Sequence, residues 1–112
     1  MLIIPLMACS VNKYYRTFRG RVLISADGRE FKKQIAMFIE GNEKVMGKIE
    51  LQLVFYFKDK RKRDVDNYAK VLIDCLKNVL FEDDDMIYKL YMEKHIGTGE
   101  DKILVNIRKI ED

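Results

Sequence analysis

The alternation of apolar and polar residues is clearest in residues 48–58. Every second position there is apolar, namely Ile49, Leu51, Leu53, Phe55 and Phe57. This spacing places the five side chains on one face of a β-strand. The other face also carries apolar residues, Val54 and Tyr56. A strand with two apolar faces is typical of the middle of a sheet.

Two stretches show helical spacing instead. Asp27 and Glu30 form an Asp version of the capping box, and apolar residues then recur every three or four positions up to a stop at Gly41 and Asn42. A second helix is predicted to begin at a cap formed by Asp66 or Asn67. Its predicted buried stripe is Val65, Ala69, Leu72, Leu76 and Val79.

Shorter patterns complete the predicted fold. Residues 2–5 and 22–24 are predicted to be short strands, and residues 10–21 a loop, because Asn12 and Gly20 interrupt the pattern. Residues 86–94 and 102–110 are predicted to form an antiparallel hairpin across residues 97–99. The chain is therefore expected to be α/β of the α+β type, in the order β-β-α-β-α-β-β. Two α-helices would pack on a mixed β-sheet of about four to five strands.

Length and composition indicate one globular domain spanning residues 1–112. No apolar run approaches the roughly 20 residues of a membrane-spanning helix. The apolar start is interrupted by Pro5 and lacks a charged leader, so it predicts a strand rather than a signal peptide, and a cytoplasmic location. Cys9 and Cys75 have no metal-ligand spacing, so both are predicted to be buried free thiols.

The net charge of +3 is unevenly distributed, since bases gather in residues 13–21 and 58–63 and acids in residues 82–85. In residues 13–21 the bases alternate with aromatic residues, which is typical of a loop that contacts a phosphate backbone. The same pattern also fits a solvated loop held by its aromatic side chains. A polyanion is a plausible partner for either basic segment.

Candidate chemistry is concentrated in residues 60–87. Asp64 and Asp66 are two residues apart, Lys70 follows on the helix, and three aspartates occupy positions 83–85. The helix is expected to return the chain so that the two acidic groups meet. Carboxylates that hold Mg²⁺ activate water and stabilise charge during phosphodiester hydrolysis, and a nearby ammonium assists at the phosphate.

Each of these features also has a purely structural explanation: helix caps, a surface Lys70–Asp74 pair, a solvated turn or an exposed basic face. Their occurrence together favours a site. An EF-hand is excluded, because residues 64–75 lack the glycine that its calcium loop requires at the sixth position. His95 is expected to be structural.

The same residues resemble the RusA family of Holliday-junction resolvases. The sequence from Arg63 to Asn67 is similar to the family's R-D-hydrophobic-D-N motif, and Lys70, Asp74 and an acidic pair before Ile87 follow in the family's order. Residues 10–16, 20–21 and 25–28 resemble its opening motifs, although Cys9 stands where the family commonly has proline.

The resemblance implies a homodimer that resolves four-way DNA junctions by paired nicks with Mg²⁺ or Mn²⁺, in DNA recombination and repair. It implies catalytic roles for Asp64, Asp66, Lys70 and Asp84, and metal ligation by Asp64, Asp66 and one residue of the acidic loop. Asp84 is preferred for that ligand and Asp85 is the alternative. The expected nucleic-acid contacts are Asn12, Lys13, Tyr14, Arg16, Arg21, Arg61, Lys62, Arg63 and Asn67.

Two other functions stay open from the sequence. The first is a nucleic-acid-binding module that cuts nothing and uses the same basic residues for phosphate contacts. The second is a nuclease that acts on other branched DNA, such as a replication fork.

Overall fold

The structure, a computed structural model, describes residues 1–111, so Asp112 of the predicted domain lies outside the described residues. Its strands are β1 (Leu2–Ile4), β2 (Tyr15–Phe18), β3 (Arg21–Ile24), β4 (Ile49–Tyr56), β5 (Ile87–His95) and β6 (Lys102–Lys109). Its helices are α1 (Val11–Tyr14), α2 (Ala26–Ile39), α3 (Val65–Leu76) and a 3₁₀ turn (Asp84–Met86). Within residues 1–111, no helix combines the length and apolar character needed to cross a membrane.

β4 is the central strand, as its alternation predicts. It lies between β6, to which it is antiparallel, and β5, to which it is parallel, and β1 extends the sheet beyond β6. Its alternate residues are wholly buried and form the centre of one hydrophobic core, with α2 and α3 packed against it. The fold is therefore a mixed α+β single domain.

The predicted hairpin between the last two strands is wrong. β5 and β6 lie on opposite sides of β4, because α3 returns the chain to run β5 parallel to β4. Residues 96–101 then cross the end of β4, where the N–H of Thr98 donates to the carbonyl of Phe57 at 3.1 Å. The carboxylate of Asp101 accepts from the N–H of Lys58 at 2.8 Å.

The predicted loop over residues 10–21 is also wrong, because it contains α1 and β2. Ser10 caps α1 by accepting from the N–H of Lys13, and β2 then pairs with β3 in a separate two-stranded sheet. Arg19 and Gly20 connect the two strands with positive φ angles of 51° and 74°. Two such residues between paired strands are the geometry of a type I′ hairpin turn.

Both predicted helix caps are displaced by two or three residues. Ser25 caps α2, since its Oγ accepts from the N–H of Gly28 at 2.9 Å, and Asp27 lies in the first turn. Asp64 occupies the cap position of α3 without a side-chain capping hydrogen bond. Its carboxylate therefore has no capping role. The predicted stop of α2 is confirmed, because the side chain of Asn42 donates to the carbonyl of Ile39.

Candidate functional site along helix α3

The buried side chain of Arg63 connects the start of α3 to Asp59 and Phe57, and these contacts are called the clamp below. Its guanidinium donates to both carboxylate oxygens of Asp59, at 2.6 and 3.2 Å, and stacks 4.4 Å from the centre of the Phe57 ring. These hydrogen bonds lower the pKa of Asp59 from 3.8 to about 2. The predicted DNA contact of Arg63 stays a prediction, and its side chain is buried and paired with Asp59.

Asp64 and Asp66 stand at the exposed start of α3, directly after this buried clamp. Lys94 of β5 donates to the carbonyl of Arg63, which holds the backbone of this turn against the sheet edge. A carboxylate in the first turn is also stabilised by the helix dipole. The two acids are therefore positioned rigidly by their backbone while their side chains face solvent.

Asp66, Lys70 and Asp74 follow one another along α3 at intervals of four residues, which places all three on one face. Asp66 and Lys70 are exposed and Asp74 is half-buried. Lys70 lies 6.0 Å from the centre of the Tyr15 ring. A groove of about 300 Å³ at the far end of this face is lined by Tyr15, Lys70, Ile73, Asp74, Lys77, Asp84 and Ile87. The structure thus brings Lys70 and Asp84 to one groove, as the sequence predicts for two catalytic residues.

The buried side chain of Tyr14 holds the carboxylate of Asp74 in place. Its hydroxyl donates to the carboxylate of Asp74 at 3.1 Å and accepts from the thiol of Cys75 at 3.8 Å. Burial, reinforced by Cys75 and Asp74, raises the pKa of Tyr14 well above its usual range. The predicted DNA contact of Tyr14 stays a prediction, and its side chain is wholly buried in this chain.

Asp74 belongs to the groove, although sequence reasoning did not place it among the site residues. Its spacing of four residues from Lys70 was an available signal. The Tyr14 contact was not, because sixty positions separate the two partners. Both predicted buried thiols are confirmed, and burial raises the pKa of Cys75 to about 11.

The acidic loop is organised around Asp83. Its carboxylate accepts from the N–H of Asp85 at 3.3 Å and lies 4.0 Å from the ammonium of Lys77. The neighbouring Asp84 side chain, followed by the hydrogen bond from the N–H of Asp85, lowers the pKa of Asp83. Asp84 lines the groove with Lys70, whereas Asp85 is not among the residues of its wall.

The two acidic groups lie at opposite ends of α3, so the prediction that the helix brings them together is wrong. Asp64 and Asp66 follow the end of β4, whereas the acidic loop precedes Ile87 of β5, which pairs with Ile49 at the start of β4. Within residues 1–111, no group of three or more His, Cys, Asp and Glu side chains is arranged to hold a metal ion. Their carboxylate oxygens suit Mg²⁺ chemically, but this chain alone does not assemble them into a site.

Most of the predicted nucleic-acid contacts are exposed. Lys13, Arg61 and Lys62 line one groove of about 460 Å³, and Asn12 and Arg16 line another of about 500 Å³ together with Lys70. Arg21 is exposed at the hairpin, and Asn67 on the first turn of α3. Asp27 and Glu30 share the first groove, so its wall carries both signs of charge. These contacts stay predictions.

Comparison with known proteins identifies the family. Residues 5–108 match the model of the family described as Endodeoxyribonuclease RusA. A crossover junction endodeoxyribonuclease of Enterobacteria phage 82 is 35% identical over 79 residues, which are 68% of this chain and 66% of that protein. The protein of the same name from Escherichia coli strain K12 is 33% identical over 79 residues, with the same coverage.

A third relative extends the match along the chain. The crossover junction endodeoxyribonuclease RusA of Escherichia coli O139:H28 is 28% identical over 107 residues, which are 92% of this chain and 89% of that protein. The first two matches span about two thirds of the relatives' length, and this one spans most of it. The family model and these relatives agree: the chain belongs to the RusA endodeoxyribonuclease family.

Proposed function

We propose that this protein is a divalent-metal-dependent endodeoxyribonuclease that resolves four-way DNA junctions in recombination and repair. Family membership and the printed names of the relatives support the junction as substrate. The observation that carries the proposal for this chain is the groove that contains Lys70, Asp74 and Asp84. This substrate agrees with the predicted cytoplasmic location.

Lys70 is proposed to contact the phosphate that is cut. The groove that contains Asp84 and the groove that contains Asn12 and Arg16 meet at Tyr15 and Lys70. A DNA strand that lies along the groove with Asn12 and Arg16 therefore reaches the groove with Asp84 at Lys70. An ammonium placed there stabilises the negative charge that develops on the phosphate oxygens.

Asp64, Asp66 and Asp84 are the proposed acidic residues of the reaction, with Asp85 as the alternative to Asp84. Mg²⁺ or Mn²⁺ is the proposed ion, because carboxylates are its preferred ligands and it supplies Lewis-acid chemistry at phosphates. Since one chain does not gather three of these acids, no chemical step is assigned to the ion.

The exposed basic residues are proposed to bind the DNA backbone. Lys13, Arg16, Arg21, Arg61 and Lys62, with Asn12 and Asn67, present charge and hydrogen-bond donors around the start of α3. Contacts of this kind set the position of the DNA without reading its sequence. A homodimer is also proposed, because two cuts in opposed strands need two sites related by a two-fold axis.

The test is cleavage of a synthetic four-way junction by the purified protein with Mg²⁺. Nicked linear duplexes are expected from the wild-type protein. Asp66→Asn and Lys70→Ala should each lower the rate by on the order of 100-fold, as expected for loss of one charged group at a reacting phosphate. Glu43→Gln, on a distant exposed turn, is the matched control and should cut normally.

Binding measured in parallel separates this function from its rivals. Asp66→Asn should retain its affinity for the junction, because the acid is not a proposed phosphate contact. A wild-type protein that binds junctions but neither cuts them nor takes up Mg²⁺ or Mn²⁺ in calorimetry would be a binding module. Faster cutting of a replication fork than of a four-way junction would reassign the substrate.

A further inference from the structure

The hairpin of β2 and β3 carries three positive charges that no acid neutralises. Arg16, Arg19 and Arg21 are all exposed. In the part of the chain that the structure describes, none of the three pairs with a carboxylate, whereas Arg108 lies 2.7 Å from Glu50. Like charges this close to one another repel, so an anionic partner stabilises the hairpin.

One aromatic ring lies among these arginines. Phe18 is 50% exposed, and the guanidiniums of Arg16 and Arg19 lie 5.6 and 5.2 Å from the centre of its ring. Arg21 is the residue directly opposite Phe18 in β3. A single exposed apolar residue needs no explanation by itself. An exposed ring among unneutralised guanidiniums, however, combines a stacking surface with positive charge, as single-stranded nucleic-acid sites do.

The hairpin also adjoins the groove that contains Lys70. Tyr15, Thr17 and Val22 line that groove, and the Tyr15 ring lies 6.0 Å from the ammonium of Lys70. Phe18 follows Tyr15 by three residues of β2, which is about 10 Å along a strand. One strand of duplex DNA advances about 3.4 Å per nucleotide, so this distance corresponds to about three nucleotides.

A base inside an intact duplex cannot use this ring, because its neighbours cover both of its faces. At a branch point the stack is interrupted, and the last base on each side has an exposed face. An exposed cation–π contact is weaker than the stacking of a base on an aromatic ring. A base therefore takes the place of one guanidinium on Phe18, and the displaced arginine is then available to a phosphate.

We propose that Phe18 is a stacking platform for a DNA base left exposed at a branch point, about three nucleotides from the phosphate at Lys70. This role deepens the nuclease function proposed above and rests on it. The arginines of the hairpin attract the backbone of any DNA, whereas the ring selects an interrupted stack. Phe18 thus determines specificity for branched over fully paired DNA and takes no part in the cutting itself.

Binding to three labelled synthetic DNAs tests the ring: a four-way junction, a splayed fork with unpaired arms and a fully paired duplex. Fluorescence anisotropy without divalent metal measures each Kd. Phe18→Ala should raise the Kd for the four-way junction on the order of tenfold and leave that for the duplex within about threefold. Phe18→Tyr keeps the ring and should bind as wild type. Phe38→Ala, which removes an exposed ring on α2, is the matched control and should also bind as wild type.

The salt dependence of the same binding separates stacking from charge. Arg21→Ala should weaken binding to all three DNAs by a similar factor and lower the slope of log Kd against log salt by about one. Phe18→Ala should leave this slope unchanged, because the ring displaces no counterion. A slope that falls in Phe18→Ala as it does in Arg21→Ala would assign the effect to the arginines.

Binding without metal involves no cutting, so the platform and the nuclease function can fail separately. A protein that binds junctions without cutting them would end the nuclease proposal and leave the Phe18 comparison intact. Equal loss on all three DNAs in Phe18→Ala, or no loss on any, would overturn the platform. A Phe18→Tyr variant as weak as Phe18→Ala would overturn it too, as would a wild-type protein that binds the duplex as tightly as the junction and the fork.

Discussion

The two ends of α3 both carry acidic residues, but they are held in different ways. At the start, the buried Arg63 clamps Asp59 and leaves Asp64 and Asp66 free in solvent. At the other end, Tyr14 bonds Asp74 directly, and Lys77 lies beside Asp83. One end fixes the backbone and leaves its acids free, whereas the other fixes an acid itself. Proximity in sequence therefore does not indicate a shared role.

The largest expected effect separates the acids of the far end. Asp84→Asn should lower junction cleavage on the order of 100-fold, because Asp84 lines the groove beside Lys70. Asp85→Asn should retain cleavage within about threefold of wild type. Single-turnover assays measure both. The reverse order would move the proposed role to Asp85 and make the Asp84 side chain incidental to the groove.

Arg63→Ala tests the clamp at the start of α3. The variant loses two hydrogen bonds and the contact with Phe57, so we expect the free energy of unfolding to fall by about 2 kcal/mol. Urea denaturation measures the change. Arg61→Ala, at an exposed neighbouring position, should change stability by less than about 0.5 kcal/mol. Equal losses in the two variants would contradict a special role for the clamp.

Tyr14→Phe tests the other end. Removal of the hydroxyl leaves Asp74 without that donor and should lower the free energy of unfolding by about 1 kcal/mol. Tyr88→Phe removes an exposed hydroxyl and serves as the control. If the Tyr14 variant is as stable as wild type, Asp74 is held by its helix rather than by the tyrosine.

The smallest expected effect is the pH dependence of the clamp. The pKa of Asp59 is lowered to about 2, so its contribution to stability is present above about pH 4 and is lost as the pH falls towards 2. The difference in melting temperature between wild type and Asp59→Asn should be constant above pH 4 and shrink below it. The same comparison in the Arg63→Ala background should show a smaller pH dependence, because only the hydrogen bond from the backbone N–H of Arg61 to Asp59 remains.

Local patterns predicted the elements that depend on them. The alternation around Leu53 identified the central strand, and the spacing of Ala69 and Leu72 identified the buried side of α3. The turn at Arg19 and Gly20 was missed, because an arginine with positive φ has no clear sequence signal. The wrong helix caps arose because Ser25 and Asp64 were not weighed against the acids that follow them.

The site was predictable in its composition and less so in its geometry. Clustered aspartates and Lys70 are visible in the sequence, but which acids meet depends on the direction of β5 relative to β4. A hairpin between β5 and β6 fits the local pattern equally well, but the structure places β5 on the other side of β4, with Ile87 beside Ile49. The Arg63 and Tyr14 contacts likewise depend on tertiary structure, which reversed their predicted exposure.

The hairpin of β2 and β3 has a consequence for motion. Its two strands pair only with each other, and most of their side chains are exposed. A two-stranded ribbon is marginally stable by itself, so its anchoring depends on α1 and on Tyr14 below it. In hydrogen exchange its amides should therefore open by local unfolding, well before those of β4. The proposed DNA contacts Arg16 and Arg21 are thus carried by a segment that adjusts to its ligand while the sheet stays rigid.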